Sequence, residues 1–142
     1  MSIQFNSVDQ IEHGRFKFVD AVAEADTFNG AVGQVEGGKF KVAAKKTVAV
    51  MQVECGDDEG MDLYPIAKGS HVRTLDLATV IGEKLNVYGK LPDKVKKGDK
   101  LESDAKGELA ISASVTSGVY LEVEDVIGNF DGVVVVVKKA GA

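Results

Sequence analysis

Few side chains in this sequence have the type and spacing to perform catalysis or to hold a metal. His13 and His71 are the only histidines, and they stand far apart. Neither has further His, Cys or Asp around it at ligand spacing, so both read as surface or hydrogen-bonding histidines rather than zinc ligands. A Ser-His-Asp triad can assemble from distant segments, and spacing alone leaves that combination open. The chain has no Gly-x-Ser-x-Gly to mark a nucleophile elbow. Asp57, Asp58, Glu59 and Asp62 could offer oxygens to a calcium ion. They miss the twelve-residue loop pattern, because no bidentate Glu follows at the required place, and a solvated acidic loop is the simpler reading. Glycines 30, 33, 37 and 38 do not compose a dinucleotide fingerprint, and no helix opens after them. The single Cys55 cannot form an internal disulfide and fits a protein made in a reducing cytosol. The expectation is therefore no catalytic residue, no metal, no cofactor and no enzymatic activity.

The elements that would carry these side chains read as β-structure. Hydrophobic residues make up 44% of the 142 positions, enough for a packed core, yet aromatics are only 6% and Trp is absent. Small aliphatic and β-branched side chains must fill that core, and these suit a pleated surface. Sixteen glycines against two prolines imply many tight turns. The predicted class is all-β: a compact β-barrel or β-sandwich of about nine to ten short strands. An N-terminal arm over 1–14 precedes a single β domain over 15–142. Ser7 and Gln10 stand at capping-box spacing, so a short helical turn near Val8–Glu12 competes with an extended arm.

Turn chemistry organises the rest. Gly37-Gly38 predicts a hairpin joining Ala31–Val35 to Lys39–Ala43, with Asn29-Gly30 as a turn before it. Thr47–Cys55 reads as a strand running from the centre of a sheet out to an edge, because Val48 and Val50 give way to Gln52 and Glu54 on one face. Asp76–Ile81 reads as one helical turn closed by Gly82. Lys84–Tyr88 alternates with Leu85 and Val87 inward. Lys97-Gly98-Asp99 and Asp104-Ala105-Lys106-Gly107 are turns on either side of a short strand, the second closing a hairpin. In Val119–Asp125 the valines and Leu121 share one face, and Tyr120, Glu122 and Glu124 the other. The five valines of Val133–Val137 predict a central strand or barrel stave with both faces covered.

Charge and hydropathy narrow the partners. A net charge of −5 argues against nucleic acid, whose phosphates call for a basic surplus. Lys45-Lys46, Lys96-Lys97 and Lys138-Lys139 are scattered pairs, read as edge-strand charges. The longest apolar run, Val133–Val137, is far too short for a membrane span. The opening MSIQFNSVDQ has no basic and apolar regions of a signal peptide.

Two resemblances follow from these segments. Val95-Lys96-Lys97-Gly98-Asp99-Lys100-Leu101 is similar to a run in the lipoyl and biotinyl carrier hammerheads, which would make Lys106 the modified lysine. That lysine lacks the Met neighbours of the carrier motif, and the order Asp-Ala-Lys differs from its pattern. The second half of the chain, about residues 70 to 140, resembles the tailed-phage head decoration, or cement, proteins. The run Val95–Leu109, the turn at Gly118 leading into Val119–Val126, and the closing Gly132–Val137 carry that resemblance. It implies a structural virion protein on the outer capsid surface, made in the host cytoplasm, with the major capsid protein and further copies of itself, as a dimer or trimer, for partners. Exposure and composition then nominate Met1–Gly14 and Phe28–Gly38 as contact segments, with Ile3, Phe5, Val8, Ile11, Phe28 and Asn29 as candidate contact residues. On that reading, deleting Ser2–His13 abolishes association and leaves the β-fold intact.

Overall fold

The computed structural model describes residues 2–5, 16–51, 65–89, 91–127 and 132–140. They form thirteen strands: β1 (Ser2–Phe5), β2 (Val19–Ala23), β3 (Thr27–Phe28), β4 (Val32–Glu36), β5 (Lys39–Val42), β6 (Val48–Val50), β7 (Pro65–Ile66), β8 (His71–Asp76), β9 (Lys84–Tyr88), β10 (Lys100–Ser103), β11 (Leu109–Ile111), β12 (Gly118–Ile127) and β13 (Gly132–Ala140). The all-β class is as expected. Of the expected barrel or sandwich, the barrel is present, with an open sheet beside it. Strands β2-β5-β4-β6-β8 close into a barrel, and β1-β9-β13-β12-β10-β11 form a six-stranded sheet beside it. A two-stranded ribbon, β3-β7, completes the set.

Alternation explains how the two parts share a wall. On β6, Val50 points into the barrel, where it meets Ala21, Ala23, Phe40 and Val72. Its neighbours Ala49 and Met51 point the other way, towards the sheet. Leu75 of β8 and Val32 of β4 also face the sheet. The sheet answers with Ile3, Phe5, Leu85, Val87, Leu101, Leu109, Leu121, Val123 and the valines 133, 135 and 137. A barrel of five strands has a narrow interior. Its alanines leave room for the ring of Phe40, which is 1% exposed.

The expected hairpins form. Glu36 lies opposite Lys39, and Gly37 and Gly38 turn the chain with φ of 57° and 78°, the pair of positive values a two-residue type I′ loop requires. Ser103 lies opposite Leu109 across the Asp104–Gly107 turn. The Asp104 carboxylate accepts from Lys106 N at 2.9 Å and from Glu108 N at 3.0 Å, an Asx-type turn. Asp99 closes the earlier turn by reaching back, its carboxylate accepting from Lys96 N at 2.9 Å. Leu77–Thr79 is a 3-10 turn capped by Asp76, and Gly82 follows at φ 93°.

Two expectations change, and a third lies partly outside the described residues. Val48–Val50 lies between β4 and β8 in the closed barrel, while Gln52 and Glu54, on which the expected run to an edge rests, lie outside the described residues. The valine strand β13 is central, between β9 and β12, but only one of its faces is fully covered. Val133, Val135 and Val137 are 0% exposed, whereas Val134 and Val136 are half-buried on the outer face. The arm over 1–14 is not an arm at its start. Ser2–Phe5 pairs with β9 over four residues, Ser2 opposite Tyr88 through Phe5 opposite Leu85.

Gly33 marks the tightest approach in the barrel. A Cβ there would lie 2.0 Å from the Lys41 carbonyl oxygen and 2.7 Å from Val42 Cα. A Cβ at Gly37 would meet nothing within 4 Å and would bear only the cost of a positive φ. Gly33→Ala should therefore lower the unfolding free energy by about 3 kcal/mol, and Gly37→Ala by about 1 kcal/mol, in urea titrations.

Candidate interaction surface

The hairpin β10–β11 is fastened to the barrel at its turn. Ser103 Oγ donates to Ala43 O at 2.9 Å and accepts from Lys46 N at 3.0 Å, while Ser103 O accepts from Lys45 N at 2.9 Å. Gly107 O accepts from Val32 N at 2.9 Å. A Cβ at Gly107 would come within 2.5 Å of Val42 Cγ1, so only glycine lets the hairpin lie this close. Lys106 is exposed on that turn, but the turn is clamped against the barrel wall. A carrier lysine needs a hairpin that stands clear of its domain, so this geometry gives the hammerhead resemblance no support.

Of the chemistry-bearing residues, His71 alone is among the described residues. His71 stands exposed on β8, while His13, Cys55 and the acidic residues 57–62 lie outside the described residues. Among the described residues, no group of three or more His, Cys, Asp or Glu could hold a metal ion. Two open hollows stand out among the described residues. One, of about 360 Å³, is formed by Gly89 and the Leu91–Val95 loop. The other, of about 240 Å³, lies between Lys45, Glu102 and residues 114–119. Neither has a His or Cys in its wall. No described helix is long and apolar enough to cross a membrane.

The nominated contact residues fare differently. Ile3 is 1% exposed and Phe5 is 8% exposed, and both belong to the core under the six-stranded sheet. Their side chains are corrected from surface contacts to core, because strand alternation in β1 turns them inward. Phe28 is half-buried and packs on both hydrophobic clusters, and Asn29 is fully buried. Asn29 is thus a turn residue held inside the fold. Val8 and Ile11 lie outside the described residues. Sequence reasoning missed the large apolar residues that do reach solvent: Phe18, Val19, Ile81 and Ile111.

An aromatic group ties β1 to the barrel. Phe5 stacks on Phe16 with ring centroids 4.2 Å apart and meets Phe18 edge-on at 6.4 Å. The Arg73 guanidinium lies 4.5 Å from the Phe18 ring centroid, and its Nε donates to Met51 O at 2.9 Å. Both contacts use the planar, weakly hydrated character of guanidinium.

The outer face of the sheet is polar by contrast. Glu122 pairs with Lys138, and Lys84 Nζ lies 3.1 Å from Glu124 Oε1. Lys100 Nζ sits 5.4 Å from the centroid of Tyr120. The hydrogen bond and charge of Glu122 raise the Lys138 pKa above its ordinary value. A raised folded-state pKa favours the fold below the unfolded value and loses that contribution as pH climbs through the folded one. The pair is exposed, so Glu122→Gln should leave neutral-pH stability nearly unchanged. Thermal melts as a function of pH should show its effect shrinking further only in the alkaline range where lysine titrates.

No family model matches the chain, and comparisons with curated proteins and with solved structures return no match. The surface must therefore be read from its own chemistry. Phe5 offers the sharpest check. Phe5→Ala should cost about 3 kcal/mol in denaturant titrations, and deletion of residues 2–5 should destabilise the whole fold. A contact residue on a free arm would cost close to nothing.

Proposed function

We propose that this chain is a structural virion protein that binds the outer surface of a tailed-phage capsid and stabilises the head by bridging capsomers. The supporting observation is where the resembling segments fall. Val95–Leu109 contains β10 and reaches into β11, Val119–Val126 lies in β12, and Gly132–Val137 lies in β13. Those strands are neighbours in one sheet, in the order β13-β12-β10-β11. Segments chosen for turn chemistry thus compose one continuous structural unit. Its anchoring to the barrel through Ser103 and Gly107 makes a stiff body, which suits a cement.

In this role the protein works by linkage. A copy that binds the assembled shell and not its dissociated parts stabilises the shell by about 2.7 kcal/mol when its free concentration is one hundred times its Kd. Many such copies on a lattice multiply the effect. The partners are the major capsid protein and further copies of this chain. The role calls on no cofactor, no nucleic acid, no membrane and no catalysis, and its location is the capsid exterior after synthesis in the host cytoplasm.

Purified protein mixed with expanded tailed-phage heads should cosediment to a saturating, regular stoichiometry. It should also raise the temperature at which the heads lose their contents. Failure to cosediment with expanded heads, at any protein excess, would remove this reading.

A further inference from the structure

We propose that Lys39, Lys41, Lys45, Lys46 and Lys106 form a basic ridge beside the joint between barrel and sheet, and that this ridge docks an acidic peptide segment of a protein partner. The inference concerns charge and strand geometry and does not depend on the capsid reading. All five lysines are exposed. Four of them fall between Glu36 and Glu54, a stretch with no aspartate or glutamate, in a chain whose net charge is −5.

The fold gathers them. Lys39 and Lys41 stand on the outside of the barrel, because Phe40 between them points in. β5 ends at Val42, and Ser103 holds the turn that follows: Lys45 N donates to Ser103 O at 2.9 Å and Lys46 N to Ser103 Oγ at 3.0 Å. Lys106 joins them from the β10–β11 turn, where Gly107 lies so close to Val42 that a Cβ would come within 2.5 Å of its Cγ1. The backbone beneath the charges is therefore fixed before any partner arrives, which lowers the ordering cost of binding.

The ordinary uses of surface lysine do not account for the ridge. Strand lysines commonly guard an open edge. β5 has none, because it lies between β2 and β4 in the closed barrel. Lysines also pair with carboxylates of their own chain, as Lys84 does with Glu124 and Lys138 with Glu122. None of these five makes an ion pair among the described residues. The carboxylates nearby are few. Glu36 lies opposite Lys39, and Glu102 shares a hollow with Lys45. Asp104 is taken by the N–H groups of Lys106 and Glu108, and Glu108 is engaged within the chain. Lys45 adds an independent sign. It is one of two non-glycine residues at positive φ among the described residues, at 55°. Glycine would suit that position better, so the turn keeps a charge here at the expense of backbone ease.

The ridge also selects among anions. Its charges are all ammonium groups, compact points without the planar fork that arginine brings to phosphate. The acidic remainder of the chain opposes a long polyphosphate. An extended peptide repeats its side chains on one face every second residue, about 7 Å apart. Lys39 and Lys41 have that same spacing along β5, so carboxylates at alternate positions of the peptide can meet both.

The test follows the fluorescence anisotropy of a labelled ten-residue glutamate peptide titrated with the full chain. Binding should saturate at low salt and weaken as salt rises. Changing Lys41→Gln, Lys45→Gln and Lys46→Gln together should weaken it at least about tenfold. Lys94→Gln, Lys96→Gln and Lys97→Gln together remove the same charge from an exposed loop elsewhere, and should weaken it less than about twofold. Lys45→Gly removes one charge and relieves the positive φ. It should melt no lower than the unmodified chain yet bind about two- to threefold more weakly, which separates loss of charge from loss of fold. Three results would overturn the docking surface: no saturable binding of the peptide, equal losses in the two triple variants, or tighter binding of a ten-nucleotide thymidine strand or of phosphatidylserine vesicles than of the peptide.

Discussion

Strands β4, β6 and β8 form a wall with a hydrophobic core on each side, and their buried residues must suit one side or the other. Val50 and Val72 fill the barrel, while Ala49, Leu75 and Val32 floor the sheet. Because side chains alternate with period two, a slip of one residue in any of these strands would spoil both cores at once. That double penalty fixes register far more firmly than a strand with one solvated face could. It also explains the mixture of sizes. Ala49 is 0% exposed at the contact with the sheet, and Ala21 and Ala23 leave the narrow barrel interior room for the one phenylalanine that fills it.

The sheet is held to that wall by packing and by a polar joint. Ser103 sits nearly buried and spends its hydroxyl on the Ala43–Lys46 turn. Gly107 lets the hairpin backbone touch Val42 and bond Val32. Hydrogen bonds of this kind contribute only about 1 kcal/mol each, but leaving a buried partner unpaired costs more, so the joint is stiff. The same joint makes the Asp104–Gly107 turn a fastening point rather than a projecting finger. Stiffness between barrel and sheet keeps surface features at fixed separations, which a protein acting through its outline requires.

Local chemistry in the sequence was a good guide to local structure. Gly37-Gly38, Asp104–Gly107, Lys97–Asp99 and Asp76–Gly82 each took the turn their residues specify, because a positive φ or an Asx bond needs no distant partner. The inward parity of Leu85, Val87, Leu121 and Val123 was legible for the same reason. Closure of the barrel was not. It depends on β2 pairing in parallel with β5, Val22 opposite Lys39 and Ala23 opposite Phe40, and no turn signal announces a parallel pair. Nor was the place of β1. Ser2–Phe5 is too short to show a period, and only β9 reveals that Ile3 and Phe5 belong to the core. Ile3 and Phe5, nominated as contacts from composition, prove to be core residues: apolar residues near a terminus look exposed until a distant strand claims them.

Polar and apolar chemistry divide between the two faces of the six-stranded sheet. Across the outer face, Glu122 and Lys138, Glu124 and Lys84, and Lys100 over Tyr120 answer one another within the chain. A second surface laid on that face would have to desolvate these charges, and exposed ion pairs return little when buried without new partners. At Val123/Asp125 a bulge further disturbs the regular array on β12. The inner face bears no such cost: Leu85, Val87, Leu121, Val123 and the valines 133, 135 and 137 leave water together, which is why the sheet closes on the barrel through this face and turns its charges outward.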